Sequence, residues 1–136
     1  MTIASDPVTG PPVAWLYDRP NKALNRLYVT WPELEGAPLV PMHGVEIKAR
    51  DGLTLTAYLS LPPGSDADGD GRPDRPVPLV LFVHGGPWAR DSYGYNRYHQ
   101  WLANRGYAVL SVNYRGSTGF GKTFISAADL QWAGKM

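Results

Sequence analysis

"VPLVLFVHGG", residues 77–86, is an apolar run that ends in a histidine and two glycines. It has the length of a β-strand, and its continuous apolar character is typical of a strand buried on both faces. A second run of this kind, "YAVLSVNY", occupies residues 107–114. Between them, residues 95–105 have helical spacing, and Gly106 stands where the helix should end. The three segments together predict a βαβ unit with parallel strands and a right-handed crossover.

The residues upstream of this unit alternate between apolar and polar side chains. Residues 45–50 and 53–61 follow this pattern on either side of Asp51-Gly52, which predicts a β-hairpin with one buried face on each strand. Two weaker runs, at 12–17 and 25–31, predict an earlier hairpin, and a stretch rich in proline and glycine links it to the rest. The expected fold is α/β: an incomplete sheet built from an opening β-hairpin and a βαβ unit, preceded by a short β segment.

Composition limits the classes of function that the chain can have. Its 136 residues fit one domain, and the formal net charge of +1, with scattered Lys and Arg, favours a small-molecule or peptide partner over nucleic acid. The absence of cysteine excludes disulfides, thiol catalysis and cysteine-bound metal. The first residues do not resemble a signal peptide, and no apolar run is long enough to span a membrane. We therefore expect a soluble protein, cytoplasmic or periplasmic.

The glycines after the first buried strand are the main candidate for chemistry. Ligands of open α/β sheets bind at the carboxyl ends of strands, and glycines let backbone N–H groups approach a ligand closely. In acyl transfer, such N–H groups stabilise the oxyanion that develops on the substrate. A tight turn without a ligand is the alternative.

Two motifs resemble the prolyl oligopeptidase family of serine peptidases: His84-Gly85-Gly86-Pro87, and "NYRGS" at 113–117. The likeness is closest to the acylaminoacyl-peptidase and dipeptidyl-peptidase-like branch. It implies that residues 43–136 are the N-terminal part of an α/β-hydrolase peptidase domain. Residues 1–42 would then be the end of a β-propeller blade and a linker. The resemblance further implies a short peptide substrate, an acyl-enzyme, no cofactor, and an oxyanion hole that uses the N–H of Gly85 or, preferably, Gly86.

The same resemblance implies roles for neighbouring residues. Five would shape the site: His84, Pro87, Tyr114, Arg115 and Gly116. Arg115 would orient loops or meet a substrate carboxylate, with a structural salt bridge as the alternative. Trp88 and Tyr93 would line a substrate pocket, or else pack between domains.

The sequence departs from the family because it contains no Gly-x-Ser-x-Gly, the nucleophile motif of this fold. The nearest imitation surrounds Ser92 but lacks the first glycine, and His43, His84 and His99 are expected to be structural. The implied protein is a piece cut before its nucleophile, without a catalytic triad and inactive alone. An incomplete sheet also has an unpaired edge, which predicts self-association.

"GSTGFGKT", residues 116–123, supports an alternative function because it matches the Walker A pattern of P-loop nucleotide-binding proteins. A P-loop generally follows the first strand of its domain, whereas this loop follows a complete βαβ unit. The P-loop interpretation also leaves the His84 motif and the hairpin unexplained. We therefore favour the peptidase.

The acidic stretch "DADGDGRPD" begins at Asp66 and resembles the first part of a calcium-binding loop. The candidate ligands are Asp66, Asp68, Asp70 and Asp74. Position twelve of the pattern, where a glutamate is expected, is Val77, and no helices flank the loop. A solvated acidic turn is the favoured interpretation, and a weak structural calcium site is the alternative.

Overall fold

The computed structural model describes all residues, 1–136. It contains seven strands, two short α-helices and one 3₁₀ turn, Pro32–Leu34. The strands are β1 (Thr2–Ser5), β2 (Val13–Asp18), β3 (Ala23–Val29), β4 (His43–Lys48), β5 (Thr54–Ser60), β6 (Leu79–Phe82) and β7 (Ala108–Asn113). The helices are α1 (Arg97–Ala103) and α2 (Lys122–Ser126). The strands form two sheets, of order β1-β2-β3 and β4-β5-β7-β6.

The first sheet contains the predicted early hairpin, with β2 and β3 antiparallel. β1 was not predicted; it pairs antiparallel with β2, and Trp15 Nε1 donates to Ser5 Oγ across the two strands at 2.9 Å. β1 has only four residues, too few for a clear alternating pattern. The assignment of residues 1–42 to a propeller blade and linker stays a prediction.

The second sheet begins with the predicted hairpin of β4 and β5, in which His43 faces Leu59 and Lys48 faces Thr54. Gly52 allows the tight turn because its φ of +84° lies in the left-handed region, which residues with a Cβ rarely adopt. β5 then pairs antiparallel with β7. The turn of the hairpin therefore lies at the same edge of the sheet as the carboxyl end of β7.

The βαβ unit is also present, since β6 and β7 are parallel neighbours and α1 lies between them in the chain. α1 starts after Asn96, whose side chain accepts the N–H groups of Tyr98 and His99. It is shorter than the predicted 95–105, and Gly106 follows it with a φ of +87°. α2 has five residues, and the rest of the predicted C-terminal helical pattern forms turns. Neither helix has the length and apolar content needed to cross a membrane.

His99 attaches α1 to the sheet. Its ring is completely buried, with Nδ1 3.0 Å from Ser60 Oγ on β5 and Nε2 2.7 Å from Ser111 Oγ on β7. Phe82 on β6 stacks on Tyr98 with 5.1 Å between the ring centroids. The expected structural role of His99 thus agrees with its position.

The prediction that β6 is buried on both faces was wrong. Leu79, Leu81 and Val83 expose 55%, 57% and 54% of their surface. α1 covers the face of β6 that carries Phe82, whereas Leu79 and Leu81 on the opposite face are exposed, and β6 is an edge strand. The uncovered face forms an apolar groove of about 340 Å³, lined by Val45, Ile47, Leu59, Leu61, Pro73, Val77, Leu79, Ala108 and Leu110.

We expect the isolated chain to self-associate through the free edge of β6. β6 has unpaired backbone groups on one side, and its exposed leucines bear no charge that would repel a second strand. Sedimentation velocity of the wild type should show oligomers, and Leu81→Lys should shift the population toward monomer. Leu130→Lys is the matched control because Leu130 is fully exposed in a separate turn. A wild type that sediments only as monomer at high concentration contradicts the prediction.

Candidate functional site

The candidate site lies at the carboxyl ends of β6 and β7, where two loops leave the sheet side by side. We call residues 84–91 the His84 loop and residues 114–121 the Tyr114 loop. The strands are parallel neighbours, so their following loops emerge at one edge. Ligands of open α/β sheets bind at this edge.

His84 and Tyr114 hold the two loops together. Their rings stack with centroids 4.5 Å apart and planes 18° from parallel, and the Tyr114 hydroxyl donates to the His84 carbonyl oxygen at 2.9 Å. Ser117 lies beneath this pair and is completely buried. Its Oγ is 2.9 Å from His84 Nε2 and 2.7 Å from the Tyr114 carbonyl oxygen. The first residues of both loops therefore form one connected cluster.

The loops are also joined farther along. The Asp91 N–H donates to Asn113 Oδ1 at 2.8 Å, and the Thr118 N–H donates to the Ala89 carbonyl oxygen at 2.9 Å. Contacts at both ends of the His84 loop fix its course relative to the sheet.

Pro87 and Gly116 pack against each other between these contacts. Gly116 has a φ of +94°, and a Cβ added to it would lie 3.0 Å from Pro87 Cβ and 2.7 Å from Ala128 Cβ. Only glycine fits at this position, for reasons of both conformation and space. The structure thus brings together four of the five predicted site-shaping residues: His84, Pro87, Tyr114 and Gly116.

Burial controls the protonation of this cluster. It raises the pKa of the Asp91 carboxyl, while the nearby His84 acts in the opposite direction. Burial also raises the pKa of the Tyr114 hydroxyl, and the charge of Asp91 adds to this shift. Tyr114 therefore keeps its proton near neutral pH and can donate it to the His84 carbonyl. Asp91 Oδ2 and Asn113 Nδ2 are buried without a hydrogen-bond partner.

Gly85 and Gly86 present the candidate anion-binding groups. Neither N–H donates to an acceptor in the chain, and both residues are exposed. Gly86 has a φ of +142°, and a Cβ added to it would lie 2.8 Å from the Trp88 backbone nitrogen. The peptide group between the two glycines is held by His84, whose Nδ1 lies 2.8 Å from the Gly85 carbonyl oxygen. Free N–H groups on a fixed turn are suited to stabilising an oxyanion.

The Walker A interpretation of residues 116–123 does not agree with the structure. The N–H groups of Gly116, Ser117 and Thr118 donate to the carbonyl oxygens of Phe124, Tyr114 and Ala89, so they cannot surround a phosphate. The Arg90 guanidinium lies over the Phe120 ring, 4.8 Å from its centroid, and packs on Gly119. The loop packs against its neighbours instead of forming a phosphate cradle.

Arg115 forms the structural salt bridge that was the alternative to a substrate contact. Its Nη2 lies 2.8 Å and 2.7 Å from the two carboxylate oxygens of Asp51, and its side chain is only 7% exposed. The hydrogen bond from Arg115 lowers the pKa of Asp51 below its usual value. The pair joins the β4–β5 turn to the end of β7.

Trp88 and Tyr93 do not meet around a common cavity. Trp88 packs edge-on against Trp132, and Tyr93 packs edge-on against Tyr58. Both remain more than half exposed, and neither lines any of the larger cavities. Their role at a substrate pocket stays a prediction. Ser92 is exposed and makes no side-chain hydrogen bond to a histidine, in agreement with its rejection as a nucleophile.

The acidic loop brings three of its four aspartates together. One ligand atom from each of Asp66, Asp68 and Asp70 lies within 4.8 Å of the others, whereas Asp74 accepts the Ala67 N–H at 3.2 Å. Asp66 also accepts the N–H groups of Asp70 and Gly71, which holds the loop in shape. The weak calcium site stays the alternative to the favoured solvated turn, with three carboxylates close together instead of four.

Ser117, Asn113 and Asp91 were not predicted as site residues. Asn113 and Ser117 belong to the motif that begins at the last residue of β7, but polar residues beside glycines usually lie in exposed loops. Their burial depends on contacts with the His84 loop, which is far away in the sequence. The position of the motif at the carboxyl end of a strand is the signal that could have identified them.

Comparison with known proteins agrees with this architecture. The BD-FAE family model matches residues 70–129. The chain is 60% identical to dipeptidyl aminopeptidase BIII of Pseudoxanthomonas mexicana, over 98% of the chain and 19% of that protein. It is 43% identical to dipeptidyl peptidase family member 6 of Caenorhabditis elegans, over 90% of the chain and 18% of that protein.

Solved structures agree as well. A puromycin-hydrolyzing peptidase of Mycobacterium tuberculosis superposes with a TM-score of 0.78 at 25% identity, over 98% of this chain and 20% of the other. The chain therefore spans about a fifth of the length of these relatives. Its mixed α/β fold matches part of the α/β-hydrolase-containing peptidase structures. The chain belongs to the prolyl oligopeptidase family and corresponds to part of a domain of its longer members.

Proposed function

We propose that the chain is part of a serine-type peptidase that hydrolyses short peptides through an acyl-enzyme. The observation that carries this proposal is the pair of free, exposed N–H groups of Gly85 and Gly86 at the carboxyl end of β6. The relatives named as dipeptidyl peptidases support peptides as the substrate class.

In this reaction a serine hydroxyl attacks the scissile carbonyl, whose oxygen becomes negatively charged in the tetrahedral intermediate. The Gly86 N–H donates to that oxygen and stabilises the charge more in the transition state than in the bound substrate. The chain has no Gly-x-Ser-x-Gly, so the nucleophile, its general base and the acid come from other parts of a longer protein.

The remaining residues of the cluster support the turn and do not react. His84, Tyr114 and Pro87 fix the His84 loop on the Tyr114 loop, and Arg115 ties β7 to the neighbouring hairpin. Trp88 and Tyr93, both exposed, are available to contact a substrate or a neighbouring domain. Residues 1–42 would supply the end of a propeller blade and the linker.

The proposal is tested with a longer protein that contains this chain together with a Gly-x-Ser-x-Gly motif. It should release p-nitroaniline from a dipeptidyl p-nitroanilide and be inactivated by a fluorophosphonate, which modifies activated serines. The 136-residue chain is the control and should do neither. Hydrolysis by the short chain, or a longer protein that cleaves no peptide substrate, would contradict the proposal.

A further inference from the structure

We propose that Ser117 is a positioning residue that aims the Gly86 N–H, acting through the ring of His84. The inference rests on the oxyanion role proposed above for Gly86. The contacts form a chain: Ser117 Oγ lies 2.9 Å from His84 Nε2, and His84 Nδ1 lies 2.8 Å from the Gly85 carbonyl oxygen.

The last contact determines the direction of the Gly86 N–H. The Gly85 carbonyl and the Gly86 N–H belong to the same peptide group, which is planar and trans, so they point in opposite directions. Two adjacent exposed glycines have no side chains to fix that plane. A hydrogen bond to the Gly85 oxygen holds the plane and therefore also the N–H on its other side.

The number of protons available on His84 and Ser117 determines what Ser117 does. A neutral imidazole carries one N–H, and a carbonyl oxygen can only accept, so the contact with Gly85 requires the proton on His84 Nδ1. Nε2 is then an acceptor, and the Ser117 hydroxyl is the donor within reach. The hydroxyl has two acceptors within reach, the Tyr114 carbonyl oxygen at 2.7 Å and His84 Nε2 at 2.9 Å, and its single proton serves only one of them at a time. The Tyr114 carbonyl also accepts the Ser117 backbone N–H at 3.0 Å, whereas an unprotonated Nε2 has no other donor. We therefore assign the hydroxyl proton to the contact with Nε2, which selects the Nδ1-protonated tautomer.

The surroundings prevent the ring from adapting by rotation. His84 is stacked on Tyr114, whose hydroxyl holds the His84 carbonyl, and Ser117 is completely buried beneath them. Without the hydroxyl, the Nε2-protonated tautomer becomes accessible. It would place an unprotonated Nδ1 against the Gly85 oxygen, and the repulsion between two acceptors would turn the peptide plane.

The tautomer can be measured without any turnover. In the uniformly ¹⁵N-labelled chain at pH 8, multiple-bond ¹H–¹⁵N spectra should show His84 protonated at Nδ1. Ser117→Ala should reduce that tautomer and shift the backbone amide resonance of Gly86. Ser111→Ala is the matched control, because it removes a buried hydroxyl from the ring of His99. It should change the His99 signals and leave those of His84 and Gly86 unchanged.

Two outcomes would overturn the proposal: a wild-type His84 protonated at Nε2, or a Ser117→Ala chain in which the tautomer and the Gly86 amide do not change. The first does not depend on any variant folding. In the active longer protein, Ser117→Ala should lower kcat about tenfold at unchanged KM, because the donor is misdirected and not removed. If the spectra agree but substitution of Gly86 has no effect on hydrolysis, the oxyanion role fails while Ser117 still sets the peptide plane.

Discussion

Replacing Gly86 with alanine should lower kcat of the longer protein by about 100- to 1,000-fold, the usual effect of losing one oxyanion-hole donor. The added Cβ would lie 2.8 Å from the Trp88 backbone nitrogen, in a backbone conformation that disfavours side chains. The turn must therefore move, and the N–H moves with it. Because that N–H acts mainly in the transition state, KM should change little in peptide hydrolysis assays.

Gly64→Ala is the matched control for this substitution. Gly64 also has a positive φ, of +74°, but a Cβ there would meet no atom within 4 Å, and the residue lies in the turn after β5. It also introduces a side chain at a positive φ, but away from the site, so kcat should stay at the wild-type value. A folded Gly86→Ala protein with wild-type kcat would refute the oxyanion role.

Much of the fold could be predicted because its patterns are local. The alternation of 45–50 and 53–61 around Asp51-Gly52 predicts the hairpin, and two apolar runs around a helical segment predict the βαβ unit. The burial of β6 could not be predicted, because an apolar run shows that a strand favours burial, not that a neighbour covers it. Only one face of β6 meets a helix, so Leu79 and Leu81 remain exposed.

The site was predicted less completely, for a related reason. Gly85 and Gly86 could be selected as candidates because glycines that directly follow an apolar run of strand length stand out in a sequence. Ser117 could not be, because its burial and its contact with His84, 33 residues away in the sequence, arise only when the two loops lie together. The Walker A match, which was the less favoured alternative, is the opposite case: its letters agree with a P-loop, while the backbone N–H groups of its first residues already donate to other carbonyl oxygens.

Lowering the pH from 7 to 4 should reduce the free energy of unfolding by about 2 kcal/mol through His99 alone. Burial lowers the pKa of His99 to about 4, from 6.5 in the unfolded chain. Above pH 6.5 neither state binds the proton and the full stability is present. Between 6.5 and 4 the unfolded state takes up a proton that the folded state rejects, so stability falls.

The size of this effect follows from the shift. The pKa shift of His99 corresponds to a free energy of at most about 3 kcal/mol. The hydroxyls of Ser60 and Ser111 can turn to accept hydrogen bonds from a charged ring, which offsets part of that free energy. The opposing contribution of Asp91, whose pKa is raised by burial, is present in the wild type and in any His99 variant. A difference between the two therefore isolates His99.

Urea unfolding of the wild type and of His99→Gln, measured from pH 4 to pH 7, tests this prediction. The variant should be less stable at pH 7 because it loses the buried ring that fits between the two serines. Its stability should depend less on pH because glutamine has no titrating group. Parallel stability curves for the wild type and His99→Gln would contradict the prediction, because they would show that the pKa of His99 is about the same in the folded and the unfolded chain. In that case α1 would be held to the sheet by packing, with His99 contributing shape and not charge exclusion.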